Sequence, residues 1–422
     1  MSRSPIVVMK FGGTSVGDVA RVRGVADIVA RYRNEHPGVG VVVVLSAMAG
    51  ETNRLVSLAK ECVDRPSPRE LDVLLATGEQ VTIALLAMRL QQLGVQSKSL
   101  LAPQARISTD SRHTNAQIEQ IDCTAVEEVI ARGGVPVVAG FQGIAESGDI
   151  TTLGRGGSDI TAVALAAALR AETCFIYTDV PGVFSTDPRM CREAKLLERV
   201  SHEEMLEMAS LGAKVLHTRS VYFAMRYSVP LVVLSTFEGP FRPGRNGTWI
   251  VSEEELMEKP VVTGVTHRLD EAQITIEALP DAIDAMARLF DALSERDVYI
   301  DMISQESVGG DVINVSLTVP DDQSIVALET IRALIPDLQA NGVAVERDIA
   351  KVSVVGIGMR YHTGVAARVF RCLARENIDV QMINTSEIKL SVLVARKYCD
   401  AAVRALHAEF TGDLSAVESS NP

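Results

Sequence analysis

With 422 residues, the chain is too long for one hydrophobic core and reads as two or three domains. Its formal net charge of −13 argues against nucleic acid or anionic lipid as a partner, since both require concentrated basic surface. No apolar run reaches the ~18 residues that suggest a membrane span, and no basic segment followed by a long apolar one opens the chain, so a cytoplasmic location without membrane contact is expected.

In chain order, Ile6–Met9 reads as a strand and Asp18–Tyr32 as a helix. The valines of Val41–Leu45 suit a parallel strand covered on both faces. Arg69–Leu93 reads as helical, Val135–Ala139 as a strand, and Asp159–Arg170 as a helix rich in alanine and leucine. Cys174–Tyr177 and Leu231–Leu234 are further strands. This alternation predicts an α/β fold with an open, mostly parallel sheet and helices on both faces. The Gly- and Pro-rich Phe237–Asn246, followed by the acidic Glu253–Glu258, closes a first domain at residues 1–250.

Beyond residue 260 the sequence repeats. A shift of 80 positions lays Ile274 on Val354, Phe290 on Phe370 and Met302-Ile303 on Met382-Ile383. Each copy reads strand, helix, strand, strand, helix, the order of ferredoxin-like α+β modules, here at 261–345 and 346–422. The first copy's second strand is expected at Val298–Ile303. A duplication without obvious catalytic side chains suggests regulation.

Three motifs carry chemistry. Lys10-Phe11-Gly12-Gly13-Thr14-Ser15 follows the first strand. Its glycines let the backbone approach an anion, and Lys10 adds a mobile positive charge. A tight turn with a solvated lysine would show the same pattern. Thr151-Thr152-Leu153-Gly154-Arg155-Gly156-Gly157-Ser158-Asp159 opens a helix with Ser158 or Asp159 as the expected cap, and Arg155 can grip a carboxylate. Tyr177–Phe184, continuing to Asp187-Pro188-Arg189, places polar groups at a strand's C-terminal end, where open α/β sheets bind ligands. Ser46, Thr52, Glu79 and Lys214 lie in lesser motifs that spacing alone does not separate from solvated surface residues. The P-loop and dinucleotide fingerprints are absent. The six cysteines contain no Cys-x-x-Cys pair and the seven histidines no zinc-type spacing, so neither disulfides nor a protein-held metal is expected.

Taken together, KFGGTSV at 10–16, SAMAGETN at 46–53, TGE at 77–79, TTLGRGGSDITA at 151–162, YTDVPGVFSTDPR at 177–189 and GAKVLH at 212–217 resemble the aspartate kinases over nearly the whole chain. The resemblance implies transfer of the ATP γ-phosphoryl, carried with Mg²⁺, to the β-carboxylate of L-aspartate. It makes Lys10, Asp159 and Arg155 catalytic, and gives Thr52, Glu79, Arg155 and Ser158 to aspartate. ATP is assigned Lys10, Gly12, Gly13, Ser46, Thr178, Asp179, Phe184, Arg189 and Lys214. The family often has tyrosine at position 184. The repeats resemble ACT modules, in which Asp301, Gln305, Val365, Asp379, Ser386 and Glu387 are the implied effector residues for lysine, threonine or both. Tyr299 and Asp379 replace the asparagine common in the effector loops. A monofunctional, feedback-regulated homo-oligomer joined through these modules is implied, with an internal start at Met257 a further option. Another amino-acid kinase of the same fold, or a regulatory subunit without catalysis, are the competing readings. Retention of Lys10, Arg155 and Asp159 weighs against the latter.

Overall fold

The computed structural model describes residues 4–213, 215–242, 245–256 and 260–411. It divides into two units: 1–184, 195–210 and 214–258 form the first, and 185–194, 211–213 and 259–422 the second. The expected block 1–250 is thus not continuous, because two of its segments pack with the C-terminal unit.

Twelve strands build the N-terminal unit among the described residues. They are β1 (Ile6–Phe11), β2 (Gly40–Leu45), β3 (Ser97–Leu100), β4 (Ile107–Thr109), β5 (Ile118–Ile121) and β6 (Val135–Ala139), then β7 (Gln142–Ala145), β8 (Ile150–Thr152), β9 (Thr173–Thr178), β10 (Arg199–Ser201), β11 (Leu231–Ser235) and β12 (Thr248–Val251). Its helices are α1 (Val19–Glu35), α2 (Glu51–Cys62), α3 (Pro68–Leu75), α4 (Thr77–Gln92), α5 (Ala102–Ala105), α6 (Thr124–Ala131), α7 (Gly157–Leu169), α8 (His202–Ser210) and α9 (Thr218–Arg226). The main sheet has the order β10-β12-β11-β9-β1-β2-β6-β3 and is parallel except where β11 meets β12. Continuous burial of β1, β2 and β6 explains their unbroken apolar runs, since helices cover both faces. A second sheet, β5-β4-β7-β8, stands beside it.

The single helix expected over 69–93 is two, α3 and α4, meeting at Ala76. Residues 68–92 are long and apolar enough to cross a membrane by composition, yet Ile83, Leu86, Ala87 and Leu90 are spent in the core.

The C-terminal unit carries β13 (Gly264–Arg268), β14 (Glu271–Pro280), β15 (Ile303–Ser307), β16 (Val312–Pro320), β17 (Gly342–Glu346), β18 (Ile349–Val355), β19 (Met382–Thr385) and β20 (Lys389–Ala395). Its helices are α10 (Ile283–Ser294), α11 (Ser324–Leu338), α12 (Val365–Arg375) and α13 (Cys399–Thr411). Two four-stranded sheets result, β15-β16-β14-β17 and β13-β18-β20-β19. Each has its own apolar core. β13 falls within the 261–345 expected for the first module but pairs antiparallel with β18 of the second, so the first module is an insertion in the second and the expected boundary does not hold there. The strand expected at 298–303 begins only at Ile303. Val298 and Met302 are buried but belong to the connector, which turns at Asp297 with φ +54°.

Candidate active site

Three neighbouring parallel strands end at one edge of the main sheet, and the loops leaving them form a cavity of about 500 Å³. β1 brings Lys10 and Gly13, β2 brings Ser46 and the loop to Gly50, and β6 brings Phe141. The loop before α7 and its first turn close the space with Arg155, Gly157, Ser158 and Asp159, while α2 and α4 add Thr52 and Glu79. Lys10 and Arg155, separated by 145 positions in sequence, therefore share one cleft.

The charges are arranged by backbone geometry. Lys10 is buried at the end of β1, with its Nζ 2.6 Å from Asp159 Oδ1 in the first turn of α7. An added Cβ at Gly12 would meet that ammonium at 3.4 Å, an ordinary contact. Gly156, not Ser158 or Asp159, is the N-cap of α7, at φ +71° and with no side-chain capping bond. Glycine is required twice over: φ is left-handed, and a Cβ would lie 2.3 Å from His217 Cβ. No side chain caps the helix start, and Gly157, Ser158 and Asp159 of the first turn line the cavity, a setting that suits an anion. Burial holds His217 below the usual imidazole range, opposed by Asp159.

Glu79 is only 3% exposed. Its Oε1 accepts a 2.9 Å bond from the Ala47 N–H, whereas Oε2 is buried without a hydrogen-bond partner. Burial pushes its carboxyl up to about 7, against the pull of the Ala47 bond. Gly78 permits the approach, because a Cβ there would lie 2.7 Å from Ala47 Cβ. A buried carboxylate oxygen without a partner, in a cavity wall, suits a ligand's ammonium group.

The other expected residues fall into four groups. Gly12, Thr178 and Asp179 lie outside that lining and meet where β1 and β9 end: Gly12 N–H donates to Tyr177 O at 3.1 Å, and Thr178 Oγ1 to Asp179 Oδ1 at 3.1 Å. Phe184 bridges to Leu196, and Arg189 is in the C-terminal unit, clasped by Asp187, so neither lines the cavity. Lys214 and Met257 lie outside the described residues. Among the expected effector residues, Asp301 is paired with the buried Lys351, and Glu387 with Arg360 at 3.1 Å. Val365 starts α12 in a buried position, while Gln305, Asp379 and Ser386 are exposed. No group of three or more His, Cys, Asp or Glu side chains forms a metal cluster among the described residues.

Sequence reasoning missed Thr114, Phe141 and Thr152 in the cavity wall, together with Leu71 and Leu75 of α3. Thr152 stood within a quoted motif. The others sit in ordinary loop or helix sequence with no local signal.

Comparison with known proteins gives consistent matches. The amino acid kinase family model matches residues 5–235, and an ACT domain model matches 352–410. An aspartate kinase of Stutzerimonas stutzeri is 51% identical, over 97% of this chain and 98% of the relative. The aspartokinase of Pseudomonas aeruginosa is 50% identical over the same shares. Among solved structures, E. coli aspartokinase III in complex with aspartate and ADP in its R-state is 29% identical with a TM-score of 0.76, covering 96% of this chain and 100% of that one. Its T-state with lysine and aspartate gives 0.72 at 29% identity, covering 96% and 99%.

Proposed function

The chain belongs to the aspartate kinases within the amino acid kinase family, and from that premise we propose a mechanism for its cavity. The enzyme takes MgATP and L-aspartate as substrates. A β-carboxylate oxygen of aspartate attacks the γ-phosphorus, the bond to the β,γ-bridging oxygen breaks, and ADP leaves as 4-phospho-L-aspartate forms. The metal ion comes with the nucleotide phosphates. A carboxylate is already ionised at neutral pH, so the chemistry needs alignment and relief of anion repulsion more than a base. Lys10 supplies positive charge toward the transferring group, and Asp159 holds that ammonium in place. Glu79 takes the substrate ammonium, Arg155 a carboxylate, and Thr52 and Ser158 complete the acceptor side. Gly12, Gly13, Ser46, Thr178 and Asp179 form the nucleotide side. The supporting observation is the joint lining of one cavity by Lys10, Asp159, Glu79 and Arg155.

We read the two C-terminal sheets as two ACT modules that bind lysine, threonine or both, so that products of the pathways to lysine, threonine, methionine and diaminopimelate restrain the first step. Assembly into a homo-oligomer through these modules fits the edge strands β15 and β19, where Ile303 and Ile383 are half exposed. A cytoplasmic reaction fits the use of ATP. The direct test traps acyl phosphate with hydroxylamine from ATP, Mg²⁺ and aspartate, with glutamate as the contrast. Formation from aspartate alone is expected, and millimolar lysine plus threonine is expected to lower the rate. Product from glutamate at the same rate would overturn the substrate assignment.

Glu79 gives this reading a pH signature. Its carboxyl titrates at about 7 in the free protein and must be ionised to pair with an ammonium group. As pH rises through 7, kcat/KM for aspartate is expected to climb and then level. Below that point it falls about tenfold per pH unit. Glu79→Gln should flatten the profile near its lowest value, which initial-rate measurements between pH 5.5 and 8.5 would check (roughly the span over which His and a raised Glu titrate).

A further inference from the structure

Asp72 lies on α3 within the apolar run Leu71-Asp72-Val73-Leu74-Leu75 and is completely buried. It does not line the cavity, yet nearly everything it touches leads there. Thr152 Oγ1 donates to its Oδ1 at 2.6 Å. The Thr114 N–H donates to both carboxylate oxygens, at 3.1 and 3.0 Å, and His113 Nδ1 donates to Oδ2 at 2.8 Å. Thr114 and Thr152 are cavity wall, and so are Leu71 and Leu75 on either side of Asp72. Thr152 also leads, through Leu153 and Gly154, into Arg155. Gly154 packs under the same loop, since a Cβ there would lie 3.0 Å from Asn115 Oδ1 and 3.1 Å from Thr114 O.

A carboxylate with no exposure is costly to bury and is retained here with both oxygens bonded. We infer that Asp72 is a positioning residue for the acceptor end of the site: it locks the wall Thr114–Thr152 against α3 and so fixes the start of the loop that carries Arg155. This rests on the proposed aspartate kinase reading. The opposite wall, with Lys10, Ser46 and Gly13, hangs on β1 and β2 and receives no bond from Asp72. Loss of the carboxylate should therefore loosen aspartate and spare ATP.

The test is steady-state kinetics of the full-length enzyme. Wild-type turnover of aspartate settles the underlying reading by itself, and the variants settle this one. Asp72→Asn keeps the shape but offers an NH₂ where acceptors are needed. It is expected to raise KM for aspartate about 10- to 100-fold, with KM for ATP within about twofold. Should Asp72→Asn fail to fold, His113 provides the second reading, because it touches Asp72 from outside the cavity. His113→Ala should raise KM for aspartate about threefold or more, and His113→Asn, which restores a donor, should recover it. An unchanged KM for aspartate in these variants, or equal rises for both substrates, overturns the assignment.

Discussion

Lys10→Ala is expected to lose at least about 10³-fold in kcat while remaining folded, which circular dichroism and a thermal melt would verify beside the kinase assay. The size follows from where the ammonium sits. It ends a strand whose sheet edge forms the cavity, it is buried, and among the described residues its charge partner is Asp159 at 2.6 Å. The protein is expected to survive the change because Lys10 and Asp159 both line the cavity, where the freed carboxylate can be hydrated. Lys10→Arg should fail nearly as badly. The site pairs a compact ammonium with Asp159 at 2.6 Å, and a planar, five-donor guanidinium does not reproduce that point charge. A folded Lys10→Ala enzyme with near-normal turnover would remove the electrostatic mechanism altogether.

What the sequence disclosed about this fold and site depended on how local the cause was. Strands β1, β2 and β6 were legible because burial on both faces demands continuous valine-like runs. Lys10, Arg155 and Asp159 were legible because glycines beside them advertise close backbone approach. The sheet β5-β4-β7-β8 was not. Its strands are three or four residues long and partly polar, as in Ile118-Glu119-Gln120-Ile121, too short to set a period. The cap of α7 was misread because Ser158 and Asp159 are good capping types, whereas the contact of Gly156 with His217 is 61 positions away in sequence and has no local trace. Likewise β13 looks like any strand, and only its ladder with Lys351–Val355 shows that it belongs to the second module. Asp72 did carry a signal, a lone carboxylate inside an apolar helical run. Its three donors from β8 and the 113–114 loop are what turn that oddity into a role.

Lys351→Met is expected to destabilise the C-terminal unit by about 3 kcal/mol, the lower end of the range for breaking a buried ion pair. Lys351 is 1% exposed on β18 of the second module, and its ammonium bonds two carboxylates of the first, Glu271 at the start of β14 and Asp301 just before β15. Methionine fills the same volume, so the loss is electrostatic rather than a cavity. Glu271, itself 3% exposed, would be left with Arg268 Nη1 at 3.4 Å, and this residual partner keeps the cost from the upper end. Asp301 is only partly buried and can be hydrated instead. Because the chain comprises two units, the measurement is denaturant unfolding followed by a probe of the C-terminal transition rather than one global melt. The companion variant Lys351→Met with Glu271→Gln should recover at least half of the loss, since it neutralises the carboxylate that the first change orphans. If the single change costs under about 1 kcal/mol, the triad is no more than a solvated surface pair and does not clamp the modules. The same variant reports on regulation. Asp301, expected to meet an effector, is held by Lys351 in this structure, so releasing it should shift the lysine or threonine concentration for half-inhibition without altering kcat in their absence.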